Sequence, residues 1–512
     1  MLIDLDNSDF LPNQNYQYAI IGAGIAGITL ALELSNEFDN ILLLESGGLV
    51  SDEKKQDDHG GITQYYGINS NHGKYYLRDM RLRYFGGTSN HWAGHCSLFD
   101  PIDFEKRDYV KSPGWDIPYQ EYYSYVSKAA EYAGLEDSDF GGIPQDFKKY
   151  PSLFSADSSF EQLILKASQS PRYHERFLER VGQSDKITCV LNATLTDADF
   201  DYNQKYQFKS VKFKNNNLKE FEAKSDQYAF CMGSAEIIRF LLNINEQYST
   251  NIGNQLNNLG KGFMEHLYIT NFGYGYRYGK ESPVKSALIR VNENISSGKK
   301  TYINYRLKDE VQKKLETHNN QIGIWSSKVL NKKMISDLDK EDLNITKLIR
   351  KNFFSSTLWM DELNFRADLP PDPSNLFFLS NRVDRFNRKK ISLRWGCTTE
   401  LKAKFRDFMV LFAKEYAIQT GGRVKITLPN NEEIWDKNVT GGGHMMGGTP
   451  ISSNPRKGIV TPDLRIHNTS NVYIASSSVF PTAGGCHPTI NIIALTVRLA
   501  DYFKKNPSNS LG

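Results

Sequence analysis

The sequence predicts an α/β chain in which a parallel nucleotide-binding sheet is joined to an α+β part built on an antiparallel sheet. Two observations predict the first part. Residues Tyr18–Glu45 read as strand, glycine turn, helix, second strand and acid. Much later, Tyr228-Ala-Phe-Cys-Met-Gly-Ser-Ala-Glu-Ile-Ile repeats the order strand, glycine, helix. A third observation predicts the second part. Strand-like runs at Thr301–Arg306, Gln321–Ser326, Leu376–Ser380 and Lys390–Trp395 alternate with charged connectors.

The first unit carries Gly22, Gly24 and Gly27 in the pattern G-x-G-x-x-G. The first glycine permits a tight turn and the second lets backbone approach a pyrophosphate. The third lets helix and strand pack closely, the Rossmann arrangement. The helix start offers free N–H groups and a favourable dipole to phosphate. Glu45 lies 18 residues after Gly27 (45 − 27), at the end of Ile41-Leu-Leu-Leu. A carboxylate there takes ribose hydroxyls. Alone, this unit binds a dinucleotide and leaves NAD and FAD both open.

The remaining elements follow in order. Residues 1–15 read as a polar lead-in and 49–80 as a polar loop. Gly86-Gly87-Thr88-Ser89-Asn90 offers either a second close backbone approach to a ligand or a capped glycine turn. Residues 114–135 have helical period, Phe160–Ser168 reads as a helix and Ile187–Leu195 as a strand. Lys328–Lys351 reads as a charged, solvated helix and 400–418 as a helix. Asn471–Thr482 contains a buried strand, and a helix opens at Pro488. The domain division expected is 14–110, 181–267 and 436–505 for the nucleotide part. Residues 111–180 form a helical connection and 268–435 the substrate part.

Composition excludes several functions. The 62 basic and 59 acidic residues give a net charge of +3, too balanced for nucleic acid or an anionic membrane. Cys96, Cys189, Cys231, Cys397 and Cys486 are scattered without a C-x-x-C pair. Neither a zinc site nor a disulfide framework is expected, and buried thiols suit a reducing compartment. The acidic start Met1-Leu-Ile-Asp-Leu-Asp does not read as a signal peptide, and no apolar run reaches about 18 residues. Cytoplasmic residence is the expectation.

Two histidines, His444 and His487, lie in glycine-rich loops flanking the late strand. A pKa near 6.5 makes histidine a natural proton acceptor at neutral pH. A single loop histidine reads as well as a structural hydrogen bond, and two ligands are too few for a metal.

Taken together, these segments resemble the glucose–methanol–choline (GMC) oxidoreductase family, from about residue 16 to 504 and most weakly over 270–360. The segments that carry the resemblance are the G-x-G-x-x-G with Glu45, Gly86-Gly-Thr-Ser-Asn-His-Trp and Tyr228-Ala-Phe-Cys-Met-Gly-Ser-Ala-Glu-Ile. Gly260-Lys-Gly-Phe-Met-Glu-His, Pro370-Pro-Asp-Pro-Ser-Asn, His444-Met-Met-Gly-Gly-Thr and Gly485-Cys-His-Pro-Thr complete it. The resemblance implies an FAD cofactor and oxidation of a CH–OH group. It implies His444 as proton acceptor and His487 as its partner. It implies cofactor contacts from Gly86, Gly87, Thr88, Ser89, Asn90, Ser478, Pro488 and Thr489, and from Val190 through its backbone. Ser476-Ser-Ser departs from related flavoproteins, which often place an acid there.

Ser89-Asn-His-Trp92 resembles the pyranose-oxidase-like branch, in which such a histidine is bonded covalently to the flavin. For His91 the alternatives are that bond, a hydrogen bond to the flavin, or packing beside Trp92. The branch favours a sugar or sugar-like polyol as the small-molecule substrate. His95, His266 and His467 read as structural. Two other functions stay open: an FAD-containing lyase or decarboxylase, and a flavin-binding protein without turnover. The electron acceptor stays unknown.

Overall fold

The computed structural model describes residues 1–8, 15–68, 73–140, 153–202, 205–279, 300–331, 333–334, 357–427 and 439–507. Two large sheets organise them. The first runs in the order Leu2–Asp4, Ile187–Leu191, Ile41–Leu44, Asn15–Ile21, Glu220–Phe230, Gln207–Lys214, Thr194–Asp201, and Val472–Ile474 also pairs with Glu220–Phe230. Its left part is parallel: Tyr18 faces Ile41, Ile41 faces Ile187, and Tyr228 faces both Ala19 and Val472. All four residues of Ile41–Leu44 are buried, the continuous apolar run a doubly covered parallel strand requires. The helices Ile25–Leu34 and Pro488–Lys505 pack on each other over this sheet.

The second sheet is antiparallel, in the order Arg423–Ile426, His266–Gly279, Thr357–Asp368, Gln321–Val329, Lys300–Leu307, Phe160–Ala167, His95–Cys96. The helix Thr399–Thr420 backs it through Phe405, Phe408 and Phe412, which meet Phe160 and Phe365 edge-on or tilted. Such aromatic clusters each bury a large apolar area. A small third sheet joins Leu376–Val383, Lys389–Gly396 and Thr63–Tyr66.

Four local expectations change. The lead-in contains a strand, Leu2–Asp4, which pairs in parallel with Ile187–Leu191 at the sheet edge. The loop 49–80 contains the strand Thr63–Tyr66. The strand expected over Ile187–Leu195 breaks at Asn192, whose φ of 56° turns the chain into a new strand at Thr194. Phe160–Ala167 is a strand, not a helix, and it pairs residue by residue with Lys300–Leu307. Its apolar residues Phe160, Ile164 and Ala167 fit a helical period, but the open edge of the antiparallel sheet supplies partners that local periodicity cannot reveal. The helical stretch 114–135 is two helices, Tyr119–Ser124 and Val126–Ala133. Of the charged patch Lys328–Lys351, residues 335–351 lie outside the described residues. All five cysteines are buried free thiols. Among the described residues, no helix is long and apolar enough to cross a membrane.

Candidate active site

Both sheets contribute to one cavity of about 620 Å³, a size typical of ligand sites. The glycine turn forms part of its wall. Gly22, at φ +104°, lies so close to the Cys231 carbonyl that a Cβ would come within 2.8 Å of it. Gly27 is tighter still, since a Cβ there would lie 1.8 Å from the Gly22 carbonyl oxygen. Gly24 differs from both. A Cβ there meets nothing within 4 Å, and Gly24 is the N-cap of Ile25–Leu34 with no side-chain cap. The helix start therefore presents uncapped N–H groups to open space, the arrangement that binds phosphate. Glu45 is buried beside it. Its carboxylate accepts from Ala23 N–H at 3.0 Å and Gly47 N–H at 2.8 Å, which fixes its orientation in the wall.

Gly87, Thr88, Ser89 and His91 form another part of the lining, with Gly87 at φ +56° against Gly24. Arg172 holds this loop by donating to the carbonyls of Ser89 and Trp92 at 3.0 and 2.6 Å. Burial, then Arg172, lowers the His91 pKa below its ordinary 6.5.

His444 and His487 line the same cavity with ring centroids 5.7 Å apart and planes at 77°. His487 is the N-cap of Pro488–Lys505, and Pro488 and Thr489 join the lining. Burial holds both imidazoles well below their ordinary pKa, with His266 adding to it at His444 and Arg366 at His487. Both rings are therefore neutral at physiological pH. His444 can accept a proton there, and a neutral imidazole can also donate one hydrogen bond.

Five residues expected at the site stand outside the lining. Gly27 serves helix–strand packing. Gly86 donates its N–H to Ala23 O, and the Asn90 side chain donates to Phe85 O at 2.9 Å. Val190 is wholly buried in its strand and its carbonyl accepts from Glu45 N–H, so Ala193, Thr194 and Leu195 take that wall instead. Ser478 accepts from Thr449 through both its carbonyl and its hydroxyl, which leaves Ser476 and Ser477 facing the cavity.

Several residues were not expected here. Glu265 is fully buried and accepts from His266 N–H at 2.8 Å, His444 N–H at 2.9 Å and the Tyr76 hydroxyl. Burial pushes its carboxyl up to about 7. His266, taken as structural from sequence, contacts His444 at 2.9 Å between Nδ1 atoms. His95 also lines the cavity, its ring 5.6 Å from that of His487. His467 is structural in its contacts, bonding to the Ser452 carbonyl. Arg366, buried in the antiparallel sheet, reaches His487, and Ser97 accepts from His487 N–H at 2.8 Å. Arg83 and Arg388 brace Thr194 and Leu195. Glu265 and His266 sat in a quoted motif. Ser97 and Arg366 carried no sequence signal. Among the described residues, no cluster of three or more His, Cys, Asp or Glu could hold a metal.

Comparison with known proteins agrees with this geometry. Residues 403–496 match the family model for GMC oxidoreductase. An (R)-mandelonitrile lyase-like protein of Arabidopsis thaliana is 32% identical over 134 residues, 24% of this chain and 23% of that protein. A cholesterol oxidase of Acinetobacter baumannii is 35% identical over 65 residues, 13% of this chain and 12% of that protein. The chain thus matches less than a quarter of the length of either curated relative. Over the whole fold, a formate oxidase superposes with a TM-score of 0.62 at 13% identity, covering 98% of this chain and 100% of that one. A formate oxidase variant of Aspergillus oryzae, solved to follow FAD modification, gives 0.59 at 13% identity with the same coverage. The segment 403–496 is thus similar to the GMC oxidoreductases, and the fold around it is similar to that of formate oxidase.

Proposed function

We propose that this protein binds FAD in the shared cavity and oxidises the CH–OH group of an alcohol, with His444 taking the hydroxyl proton. The observation that carries the reading is one cavity lined both by an uncapped glycine turn beside a buried acid and by two neutral, buried histidines. The residues fit the cofactor: the start of Ile25–Leu34 would hold its pyrophosphate and Glu45 its ribose. FAD bound there supplies the acceptor for the hydride lost by the substrate carbon. The protein's own work is then to bind, orient and deprotonate. His444 receives the hydroxyl proton, and His487 hydrogen-bonds the same oxygen and aligns it. The parallel sheet, with 14–110, 181–267 and 436–505, is the cofactor domain in this reading, and 268–435 is the substrate-binding part.

The test is an anaerobic screen of sugars and small alcohols for flavin bleaching, repeated with His444→Ala. Bleaching by at least one alcohol is expected. Its rate should fall by about 10²–10⁴ in the variant while FAD stays bound, the usual contribution of a positioned base. Reduction of the variant at the wild-type rate overturns the role. A sugar-like polyol is the proposed donor, on the strength of Ser89-Asn-His-Trp92, and the same screen decides it. For His91 we propose a covalent bond to the flavin. Acid precipitation should then leave a yellow pellet, and a colourless one removes the bond.

The mandelonitrile lyase-like relative favours a second reading, a lyase in which FAD is structural. It predicts cleavage of a cyanohydrin with no bleaching by any alcohol.

A further inference from the structure

The hydrogen bonds around the two cavity histidines determine which ring nitrogen carries the proton in each. Gly484 anchors this network. Its carbonyl oxygen lies 2.8 Å from His266 Nε2 and can only accept, so Nε2 of His266 bears a hydrogen. His266 is completely buried, and burial takes its pKa down to about 3, so it is neutral and its Nδ1 holds a lone pair. His444 Nδ1 lies 2.9 Å from that lone pair and must therefore donate. A neutral imidazole has one N–H. His444 thus keeps its lone pair on Nε2, the nitrogen without a partner in this chain of bonds.

His487 resolves the other way. Arg366 Nη1 lies 3.1 Å from Nδ1 and 2.8 Å from Nε2 of its ring. These two nitrogens flank Cε1, and an atom so near both in the ring plane would overlap that carbon. Nη1 therefore lies over the face of the imidazole with its N–H aimed at the ring, and it uses neither in-plane position. The in-plane partner of Nδ1 is Ser97 Oγ at 3.1 Å. That oxygen already accepts from the backbone N–H of His487. Ser97 is fully buried, and among the described residues its hydroxyl oxygen contacts only that N–H and His487 Nδ1, so Nδ1 is the lone pair left for its hydrogen. Ser97 therefore donates to Nδ1, and the proton of His487 resides on Nε2.

We propose that His266 and Ser97 are positioning residues that hold the two cavity histidines in opposite tautomers, so that His444 offers an acceptor at Nε2 and His487 a donor at Nε2. The inference rests on the reading of His444 as proton acceptor. It gives that reading a direction. One alcohol oxygen can donate its proton to His444 Nε2 and accept from His487 Nε2–H, and the opposite orientation is excluded. On proton transfer the O–H bond breaks and an N–H bond forms at His444 Nε2. The C–H bond breaks with its electron pair going to the hydride, for which FAD held in the cavity would supply the acceptor, and the oxygen lone pair left by the proton completes the C=O bond. His444 Nδ1–H goes on donating to His266 throughout, so no second proton needs to move.

The test uses holoenzyme labelled with ¹⁵N-histidine and two-bond ¹H–¹⁵N correlation spectra, assigned by single replacement of each histidine. His444 is expected protonated at Nδ1 and bare at Nε2, and His487 the reverse. A proton on Nε2 of resting His444, or on Nδ1 of His487, overturns the proposal. Three variants extend it. His266→Asn keeps an acceptor near the Nδ1 position and should reduce FAD within about threefold of wild type. His266→Phe removes it, and reduction should fall by about 10- to 100-fold with FAD content and substrate Kd unchanged. Ser97→Ala should shift protonation at His487 while leaving that of His444 as it was. Equal rates for the Asn and Phe variants reduce His266 to a filler of space and overturn its role. If the spectra show the assigned tautomers but His444→Ala still reduces at the wild-type rate, the base assignment falls while the tautomer pattern stands.

Discussion

Glu265→Gln isolates the electrostatic cost of organising the site. The carboxyl is wholly buried and holds the backbone of His266 and His444 together. Gln retains an acceptor oxygen for those two N–H groups, turns an amide N–H toward the Tyr76 hydroxyl, which then accepts, and cannot ionise. Burial raises the folded pKa from 4.5 to about 7. Below 4.5 the group is protonated whether folded or unfolded and contributes nothing. Between 4.5 and 7 the unfolded chain gives up its proton first, so wild-type stability falls as pH rises through that window. Above 7 the loss is complete. At 1.36 kcal/mol per tenfold change in binding, it totals about 3 kcal/mol. An unfolding entropy of about 2.1 cal/mol/K per residue converts this, over the whole chain, to about 3 °C. The Tm of Glu265→Gln minus that of wild type should therefore rise by about 3 °C between pH 4 and pH 8, measured by calorimetry. Parallel curves would show that Glu265 titrates in the folded protein as it does unfolded and that its burial costs nothing, which would refute the reasoning.

The other predictions follow from the same geometry. Gly24→Ala puts a methyl group into open space, so stability should change by less than about 0.5 kcal/mol while FAD retention after gel filtration drops at least tenfold. Gly27→Ala drives a Cβ to 1.8 Å from Gly22 O, so it should cost about 3 kcal/mol by overpacking and be visible in Tm. If the two variants behave alike, Gly24 does not face the cofactor. His444 is held well below its ordinary 6.5 by burial, so it stays neutral as pH falls past that value. In Glu265→Gln, which lacks the neighbouring carboxyl that titrates at about 7, the rate constant for flavin reduction should be flat from pH 8 to 6, and a midpoint near 6.5 there would contradict the burial of His444. Substrate deuteration and solvent deuteration should both slow the reduction step, and a solvent isotope effect of one would show that the proton leaves beforehand.

What the sequence made legible follows from the range of the forces involved. The runs Tyr18–Ile21 and Ile41–Leu44 are apolar because both faces of a parallel strand are covered, and that demand is written locally. The glycines are likewise local, since Gly22 and Gly27 answer to backbone within the same turn and its neighbouring strand. Leu2–Asp4 and Phe160–Ala167 were misread because their partners, Ile187–Leu191 and Lys300–Leu307, lie far along the chain. The site divides in the same way. His444 and His487 stood out through residue type and glycine-rich surroundings. Ser97 reaches His487 across 390 positions and Arg366 across 121, and no local pattern marks either. His266 was visible but assigned too little, because its importance lies in one contact with His444 that only folding creates.

The burial that makes the two histidines available also makes them weak bases, and this constrains how the proton can move. A surface imidazole near pKa 6.5 would be protonated, and so unable to accept, in about a quarter of molecules at pH 7. His444 escapes that through desolvation, helped by neighbouring His266 and Arg366. The same terms oppose forming an imidazolium there, so full deprotonation of an alcohol before any bond to hydrogen breaks at carbon is strongly uphill. The hydroxyl becomes acidic only as hydride departs and positive charge grows on the carbon. A weak, prepositioned base suffices at that moment, because the proton-transfer driving force then comes from the substrate. His487 can support the oxygen at no cost in proton movement, since Arg366 Nη1 over its face adds positive potential without occupying the ring's in-plane nitrogens. In the proposed reaction proton and hydride loss would therefore share one barrier, and paired isotope effects would be the direct expression of a base that burial has kept neutral.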